Sequence, residues 1–438
     1  MGAVTGSVGE TLAAIVGASR MQEGAAVDGT FAVDGVLPRW GVRVQTLEHV
    51  SRVLALAWEA GLAVVPRGSG AGQELGAPPS NVDIVLDLRG LDQVVEYNPD
   101  DLTITVQAGV TAGALTARLV PRRQFLPLDP PAAEARTLGG ITATNATGPL
   151  RLRYGTMRDL LLGVKFIQAD GVVTWGGARV VKSVSGYDVP KLMVGALGSL
   201  GVIGELTLRL HPLPDAEQTW LIPCRDAATA QEFVLRLLDS TVQPSRVELL
   251  NAPALAACGA PGSAAAVAVS VGTAEAAVKA QGEALGGLGR AVGSAAARPA
   301  QGFWSRYAAA LVPAQCVELG VATLASKVGE AIGEIERAVA ASLSGVAPTI
   351  GGSAPLGSLR VVLPPAEPAR VKSIVERLRA ALAPAGGGVT VRRAPRDVRV
   401  AVDPWGPVET GAFALMRSLK EEFDARRVLN PGRFVGGL

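Results

Sequence analysis

Pro66-Arg67-Gly68-Ser69-Gly70-Ala71-Gly72-Gln73-Glu74-Leu75-Gly76 follows directly on a short apolar run, Leu62-Ala63-Val64-Val65. The glycines at 68, 70 and 72 lack side chains, so backbone N–H groups can close on an anion and left-handed conformations cost little. The loop is neither a GxxxxGK[ST] motif nor a properly placed GxGxxG, so alone it reads equally as a structural turn or an anion cradle. Its neighbours sharpen the reading. Upstream, Leu47, Val50, Leu54 and Ala57 recur at helical spacing between Thr46 and Ala60, which predicts one buried helix face ending at Gly61. Downstream, Asp83 to Leu88 (DIVLDL) predicts a buried strand. Helix, strand, glycine loop, strand is a phosphate-binding layout. A second segment, TLGGITATNATG at Thr137 to Gly148, offers another surface of small residues, hydroxyls and amides. Two anion cradles suit a dinucleotide.

Between these segments Thr103 to Ala108 alternates, predicting a half-buried strand with Ile104, Val106 and Ala108 inward and Thr103, Thr105 and Gln107 outward. A helix over Thr111 to Leu119 and a Pro-rich break at Leu126 to Pro131 (LPLDPP) follow. GVKFIQADGVVTW, Gly163 to Trp175, predicts two strands joined at Asp170-Gly171, a pair suited to positive backbone angles. Leu206, Leu208 and Leu210 mark another strand, closed by His211-Pro212-Leu213-Pro214, where a boundary is expected. Beyond it the chain turns Ala- and Gly-rich. Ala265 to Gly272 and Ser358 to Pro365 predict strands, followed by helices at Ala274 to Leu285 and Pro368 to Leu382. Val389 to Ala394 and Asp397 to Val402 predict further strands, with loops around Pro261 and Gly286. Together these units predict a small antiparallel sheet with helices on one side. At the C-terminus Phe413, Met416, Leu419 and Phe423 share a helix face ahead of the turn Leu429-Asn430-Pro431-Gly432.

A length of 438 residues suits two or three folding units. Lys plus Arg number 41 against 39 for Asp plus Glu, a net charge of +2 that argues against a general polyanion-binding surface. Hydrophobic residues make up 48% but aromatics only 4%, the excess being Ala and Val, and no apolar run reaches the roughly eighteen residues of a spanning helix. The N-terminus lacks the pattern of a secretory signal, so a cytoplasmic location is expected. The opening Met-Gly has Gly6 where a myristoylation signal wants Ser or Thr. Cys224, Cys258 and Cys316 are too far apart for a CxxC site and are expected to be buried, which argues against metal or iron-sulfur ligation by this chain.

The ordered segments PRGSGAG, LPLDPP, TLGGITATNATG, RYGTMRDLLLGVKFIQADG, VVKSVSGYDVPKLMVGALGSLGVIGELTLRLHP and LNPGRF resemble the vanillyl-alcohol-oxidase-like, PCMH-type FAD-binding family. Within that family the chain is most similar to the E-subunit branch of bacterial glycolate oxidase (glycolate dehydrogenase). The resemblance implies an α+β fold, with a two-subdomain PCMH-type FAD-binding domain at 36–214 after an N-terminal extension at 1–35. It also implies a smaller ferredoxin-like cap of antiparallel sheet and helices at 215–400, and a segment at 401–438 that returns to the FAD domain.

Carried over residue by residue, the resemblance places Arg67, Gly68, Ser69, Gly70 and Ala71 on the FAD pyrophosphate, and Gln73 or Glu74 near the ribityl chain or flavin. Asp129 and Pro130 would flank the cofactor, and Thr137, Gly139, Gly140, Thr144, Asn145 and Gly148 would complete the cradle. Tyr154, Gly155, Arg158 and Asp159 would support the neighbouring loop. Val202 and Ile203 would meet the adenine, and Asn430 and Arg433 the isoalloxazine. Arg433 reads either as a cation favouring reduced flavin or as a solvated side chain. Tyr187 and Asp188 read as a turn or a ligand contact, and Lys182 as a surface, supporting or ligand-facing residue. No His or Cys stands in the Pro66 loop for covalent attachment, so non-covalent FAD is expected.

Oxidation of a 2-hydroxy acid wants a base, usually His, and a cation for the carboxylate. The two histidines, His49 and His211, sit where structural roles are expected, so no catalytic residue is assigned. The resemblance therefore implies a subunit that holds FAD and passes electrons beside a sister FAD-binding catalytic subunit and an iron-sulfur subunit. Such a complex would be cytoplasmic or peripheral to the inner membrane. Two alternatives stand: a self-standing FAD-linked D-2-hydroxy acid dehydrogenase with an acidic or tyrosine base, and a non-catalytic scaffold. Trp304, Arg306 and Tyr307 form a dense group that reads as a carboxylate site, a partner contact or core.

Overall fold

The computed structural model describes residues 7–177 and 187–438. Lys182 lies outside the described residues.

The first sheet has the order Met21–Glu23, Trp40–Arg43, Ile84–Asp87, Val64–Arg67, and its last three strands are parallel. The helix Leu47–Ala60 makes the crossover, with Thr46 accepting from His49 N at 3.1 Å and Gly61 left-handed at φ 65°. Local capping thus fixes both helix ends where the sequence places them. Val64 N donates to Val428 O (2.7 Å) and Asn430 N to Val64 O (3.0 Å), so the C-terminal return joins this sheet beside the glycine loop.

The second sheet is antiparallel, in the order Val94–Asn98, Thr103–Gln107, Val202–Arg209, Leu161–Ile167, Val173–Gly177. Ile104 and Val106 enter its core as expected, but Thr105 is buried too. Its hydroxyl meets that of Thr207 at 3.0 Å on the opposite face, because two flanking strands shield it from water. In the hairpin only Gly171 takes a positive φ (91°), while the Asp170 carboxylate accepts from Val172 N at 3.0 Å.

The third sheet is antiparallel with seven strands, in the order Ala216–Cys224, Ala265–Thr273, Arg246–Asn251, Thr349–Ser353, Ser358–Leu363, Val317–Ala322, Gly388–Arg393. Its second half, with helices Val328–Ser342 and Pro368–Leu382, follows the split βαβ order of a ferredoxin-like unit. The first half repeats three strands of that unit, and a single Leu221–Ala297 bridge stands where the fourth would lie. The longer helices and the inward faces of the strands share one apolar core.

Two further details differ from the sequence reading. Asp397 to Val402 is not a strand: Arg396–Ala401 is helical, Val398 and Val402 pack into the core four residues apart, and Val400 is 67% exposed. Apolar residues at alternate positions fitted a strand, but packing chose the helical spacing. Gly286 lies within the helix Glu275–Ala291 rather than in a loop. Among the described residues no helix is long and apolar enough to cross a membrane.

Candidate functional site

The strand Val64–Arg67 delivers the glycine loop against the helix Leu138–Thr144, whose N-cap Thr137 accepts from Gly140 N at 3.3 Å. A β-carbon on Gly68 would fall 2.1 Å from Thr137 Oγ1, and one on Gly72 would fall 2.6 Å from Thr144 Cγ2. The two glycine segments therefore pack as one surface that larger residues would break apart. With Asn430 and Arg433 they line a cavity of about 70 Å³ whose wall includes Pro66, Gly68, Ser69, Gly70, Ala71, Gln73, Gly140 and Thr144. Asn430, left-handed at φ 44°, donates its amide to Leu197 O at 2.6 Å. Arg433 donates to Gln73 O (2.7 Å) and Leu75 O (3.3 Å), holding the glycine loop from beneath. Burial pushes its guanidinium down to about 10.

Three buried polar atoms here have no partner: Asn145 Oδ1, Asn430 Oδ1 and Arg433 Nε. Burying such groups unpaired costs about 1–3 kcal/mol each, which a polar ligand would relieve. With the glycine surface, they fit a cofactor carrying phosphates.

The remaining expected residues are placed as follows. Arg67 turns away to the carbonyls of Thr30 and Ala32. Gly139 packs on Ala108, where a β-carbon would sit 2.8 Å from that residue's own. Gly148 lies against Asp129, a close approach that only glycine permits, since a β-carbon would fall 1.9 Å from Asp129 O. Asp129 accepts from Leu150 N (3.0 Å) and from Arg246 Nε (3.1 Å), and with Pro130 and Gly148 it borders a cavity of about 810 Å³. Val202 and Ile203 begin the central strand of the second sheet and are buried. Tyr154 packs edge-on against Phe125 and His211, and Gly155 lies over Asp159, so this pair does not border the cradle cavity. Asp188 caps Val189–Met193, whereas Tyr187 is 97% exposed. His49 is a half-buried first-turn residue.

The third sheet supplies what the sequence reading missed. Strand alternation points Val247, Leu249, Val317, Leu319, Leu359, Val361, Val389 and Val391 into the apolar core. The intervening Glu248, Glu318 and Arg360 therefore share the opposite face, toward the glycine segments, and Arg392, just after Val391, joins them there beside Glu318. Arg360 Nη1 lies 3.4 Å and Arg392 Nε 3.3 Å from Glu318 Oε1. Arg393 pairs with Glu74, and Arg360 Nη2 donates to Thr147 O at 2.8 Å. Arg136, Glu74, Glu318, Arg360, Arg392 and Arg393 border a second cavity, of about 60 Å³, that shares Ala71, Gly72 and Thr144 with the cradle. It shares Pro131, Val312 and Arg360 with the large cavity. Burial, then the charges of Arg360, Arg392 and Arg393, bring Arg136 down to about 10. Desolvated cations crowded in this way call for an anion.

Residues 38–177 match the model of the family described as FAD binding domain. The chain carries an FAD-binding domain. That segment contains both glycine segments, and FAD is the phosphate-bearing cofactor that their surface fits. Among curated proteins, the chain is similar to the glycolate oxidase subunit GlcD of Bacillus subtilis (strain 168), 30% identical over 219 residues, covering 50% of this chain and 47% of that protein. It is also similar to the glycolate oxidase subunit GlcE of Escherichia coli (strain K12), 34% identical over 182 residues, covering 41% and 50%. The chain thus spans about half the length of these curated relatives. Beyond the FAD-binding domain the likeness is one of fold. p-Cresol methylhydroxylase, solved with substrate bound, superimposes with a TM-score of 0.78 at 15% identity, covering 97% of this chain and 95% of that one. The whole α+β arrangement, third sheet included, therefore shares the fold of that protein.

Of the Trp304, Arg306, Tyr307 group, Trp304 and Tyr307 border the large cavity, while Arg306 turns to the carbonyls of Cys258 (2.8 Å) and Gln301 (2.8 Å). The cysteines are free and buried, their thiols pushed up to about 11. One signal for the missed residues is present in the sequence: a charged residue between two apolar residues of a strand that is otherwise apolar on both faces, as in Val247-Glu248-Leu249 and Leu359-Arg360-Val361.

Proposed function

We propose that the chain is an FAD-linked oxidoreductase acting on a small 2-hydroxy acid, with glycolate as the first candidate, and that it works within a glycolate-oxidase-type assembly. The observation that carries this reading is the set of arginines, Arg136, Arg360, Arg392 and Arg393, where the cradle meets the larger cavity. In this reading non-covalent FAD spans the two glycine segments and lies against Asp129, Pro130, Thr144, Gly148, Asn430 and Arg433. Val202 and Ile203 meet its adenine. When bound, FAD supplies a two-electron acceptor. The chain's own residues do the rest: Arg360 and Arg246 hold a carboxylate, and the sheet at 215–400, acting as a cap domain over the FAD-binding domain at 36–214, limits water.

Similarity to two glycolate oxidase subunits, GlcD and GlcE, supports a multi-subunit assembly; in this reading a sister FAD-binding subunit is the partner and an iron-sulfur subunit carries electrons onward. A second reading, a self-standing dehydrogenase, is favoured by the cavity beside the cradle. The deciding experiment mixes the purified FAD-loaded chain anaerobically with glycolate or D-lactate, with and without candidate partner subunits. Bleaching of the flavin by the chain alone supports the self-standing reading, and bleaching only with partners supports the subunit reading. No bleaching in any combination contradicts both.

A further inference from the structure

The chain has no histidine at this site, yet its large cavity holds one acid–phenol pair. Tyr307, on the helix Phe303–Ala310, donates a short hydrogen bond to Glu248 Oε2 on the strand Arg246–Asn251, and both residues border the cavity. The ring of Tyr307 is clamped: Trp304 packs edge-on with centroids 5.7 Å apart, and a β-carbon on Gly351 would fall 2.8 Å from its Cε2. Trp304 is itself fixed by bonds of 3.0 Å to Thr219 and Ser270. An apolar pair would fill this place at less cost in desolvation, so a fixed, buried acid–phenol pair on a cavity wall points to proton handling.

We propose that Tyr307 is the catalytic residue that takes the hydroxyl proton of a bound 2-hydroxy acid, and that Glu248 is the positioning residue that receives the proton Tyr307 gives up. This rests on the carboxylate-site reading above. As the substrate O–H bond breaks, its proton passes to Tyr307 Oη and the Tyr307 proton to Glu248 Oε2. Bound FAD would supply the two-electron acceptor for the carbinol hydrogen and its electron pair, leaving a 2-oxo acid. The charges facing the pair are Asp129, from the Pro-rich segment, Arg246 beside it on the strand, and Arg360 from the strand Ser358–Leu363, with the Cys258 thiol near the phenol. Burial first, then the Asp129 charge, raise Glu248 to about 8, against the lowering effects of Tyr307, Arg360 and Arg246. Below that pH Glu248 holds a proton and the site welcomes a carboxylate; above it the ionised pair accepts protons and repels one.

Oxalate, which has no carbinol hydrogen, reads this without turnover. Calorimetric titration of the FAD-loaded full chain between about pH 6 and about pH 9 should show affinity constant below about pH 8 and falling toward tenfold per unit above it. Glu248→Gln should flatten that profile. Tyr307→Phe removes the bond that favours ionised Glu248, so it should move the break to higher pH. Both variants keep the shape of the residue, and bound FAD reports their folding. Oxalate binding with the same pH profile in all three proteins would overturn the proposal and leave the carboxylate site standing. No oxalate binding in the unaltered chain would overturn the carboxylate-site reading and the proposal with it.

Discussion

Gly68 and Thr137 meet across the cradle so closely that a β-carbon on Gly68 would fall 2.1 Å from Thr137 Oγ1. Two segments some seventy residues apart in sequence thereby form one anion-binding surface. Gly68→Ala must push the loop off the N-cap of the helix Leu138–Thr144, and FAD affinity should fall at least about tenfold, a loss of about 1.4 kcal/mol. Equilibrium dialysis against FAD, with circular dichroism to verify an unchanged fold, tests this. Undiminished affinity would remove the cradle from the account.

The C-terminal return depends on a buried pair. Lys420 Nζ lies 2.7 Å from Asp424 Oδ2 and donates to Ser199 O (2.7 Å) and Leu429 O (3.0 Å), while Asp424 accepts from Val428 N and Leu429 N. Lys420→Met leaves Asp424 buried without its cation, at a cost of about 3–5 kcal/mol. Urea unfolding should show that loss together with weaker FAD binding, because Asn430 and Arg433 follow directly. A variant with unchanged unfolding would mean the tail is held by other contacts.

These relationships were unevenly legible in the sequence. The helix Leu47–Ala60 carries its own start and stop in Thr46 and Gly61, so local chemistry alone bounds it. Glu248, Glu318, Arg360 and Arg392 come from four strands spread over some 145 residues, and only the sheet's register puts them on one face. Alternation assigns each a parity, but no local signal tells which strands are neighbours. Arg306 and Tyr307 are adjacent in sequence, yet successive helical positions point about 100° apart, and of the two Tyr307 reaches the cavity. In Asp397 to Val402 an apolar residue at every second position fits a strand, while Val398 and Val402 also fit one helical turn, so the pattern alone does not choose between them.

Arg360 should matter for substrate more than for the cofactor. Arg360→Leu removes a charge-assisted donor and should weaken oxalate by roughly 10- to 100-fold, in keeping with about 1.5–3 kcal/mol for such a bond. Retained FAD with unaltered oxalate affinity would take this residue out of the carboxylate site. Calorimetry on the FAD-loaded variant gives both readings.

Glu248 gives a stability signature of its own. Its carboxyl moves from the ordinary 4.5 to about 8 in the folded chain, so between those values the folded state keeps a proton that the unfolded state releases. Its contribution is fully present below about pH 4.5 and is lost as pH rises through about 8. Glu248→Gln cannot titrate. Relative to the unaltered chain, the variant should therefore gain stability between about pH 5 and about pH 8, by on the order of 3 kcal/mol in urea unfolding. A pH-independent difference would show that Glu248 titrates normally.

The two glycine segments and the C-terminal return together make the proposed non-covalent FAD site. Titrating the gently purified full chain with FAD and following flavin fluorescence tests it most directly. Fluorescence should saturate at one FAD per chain, with all flavin released on denaturation. A chain that binds no FAD, or a flavin that stays attached after unfolding, would contradict it.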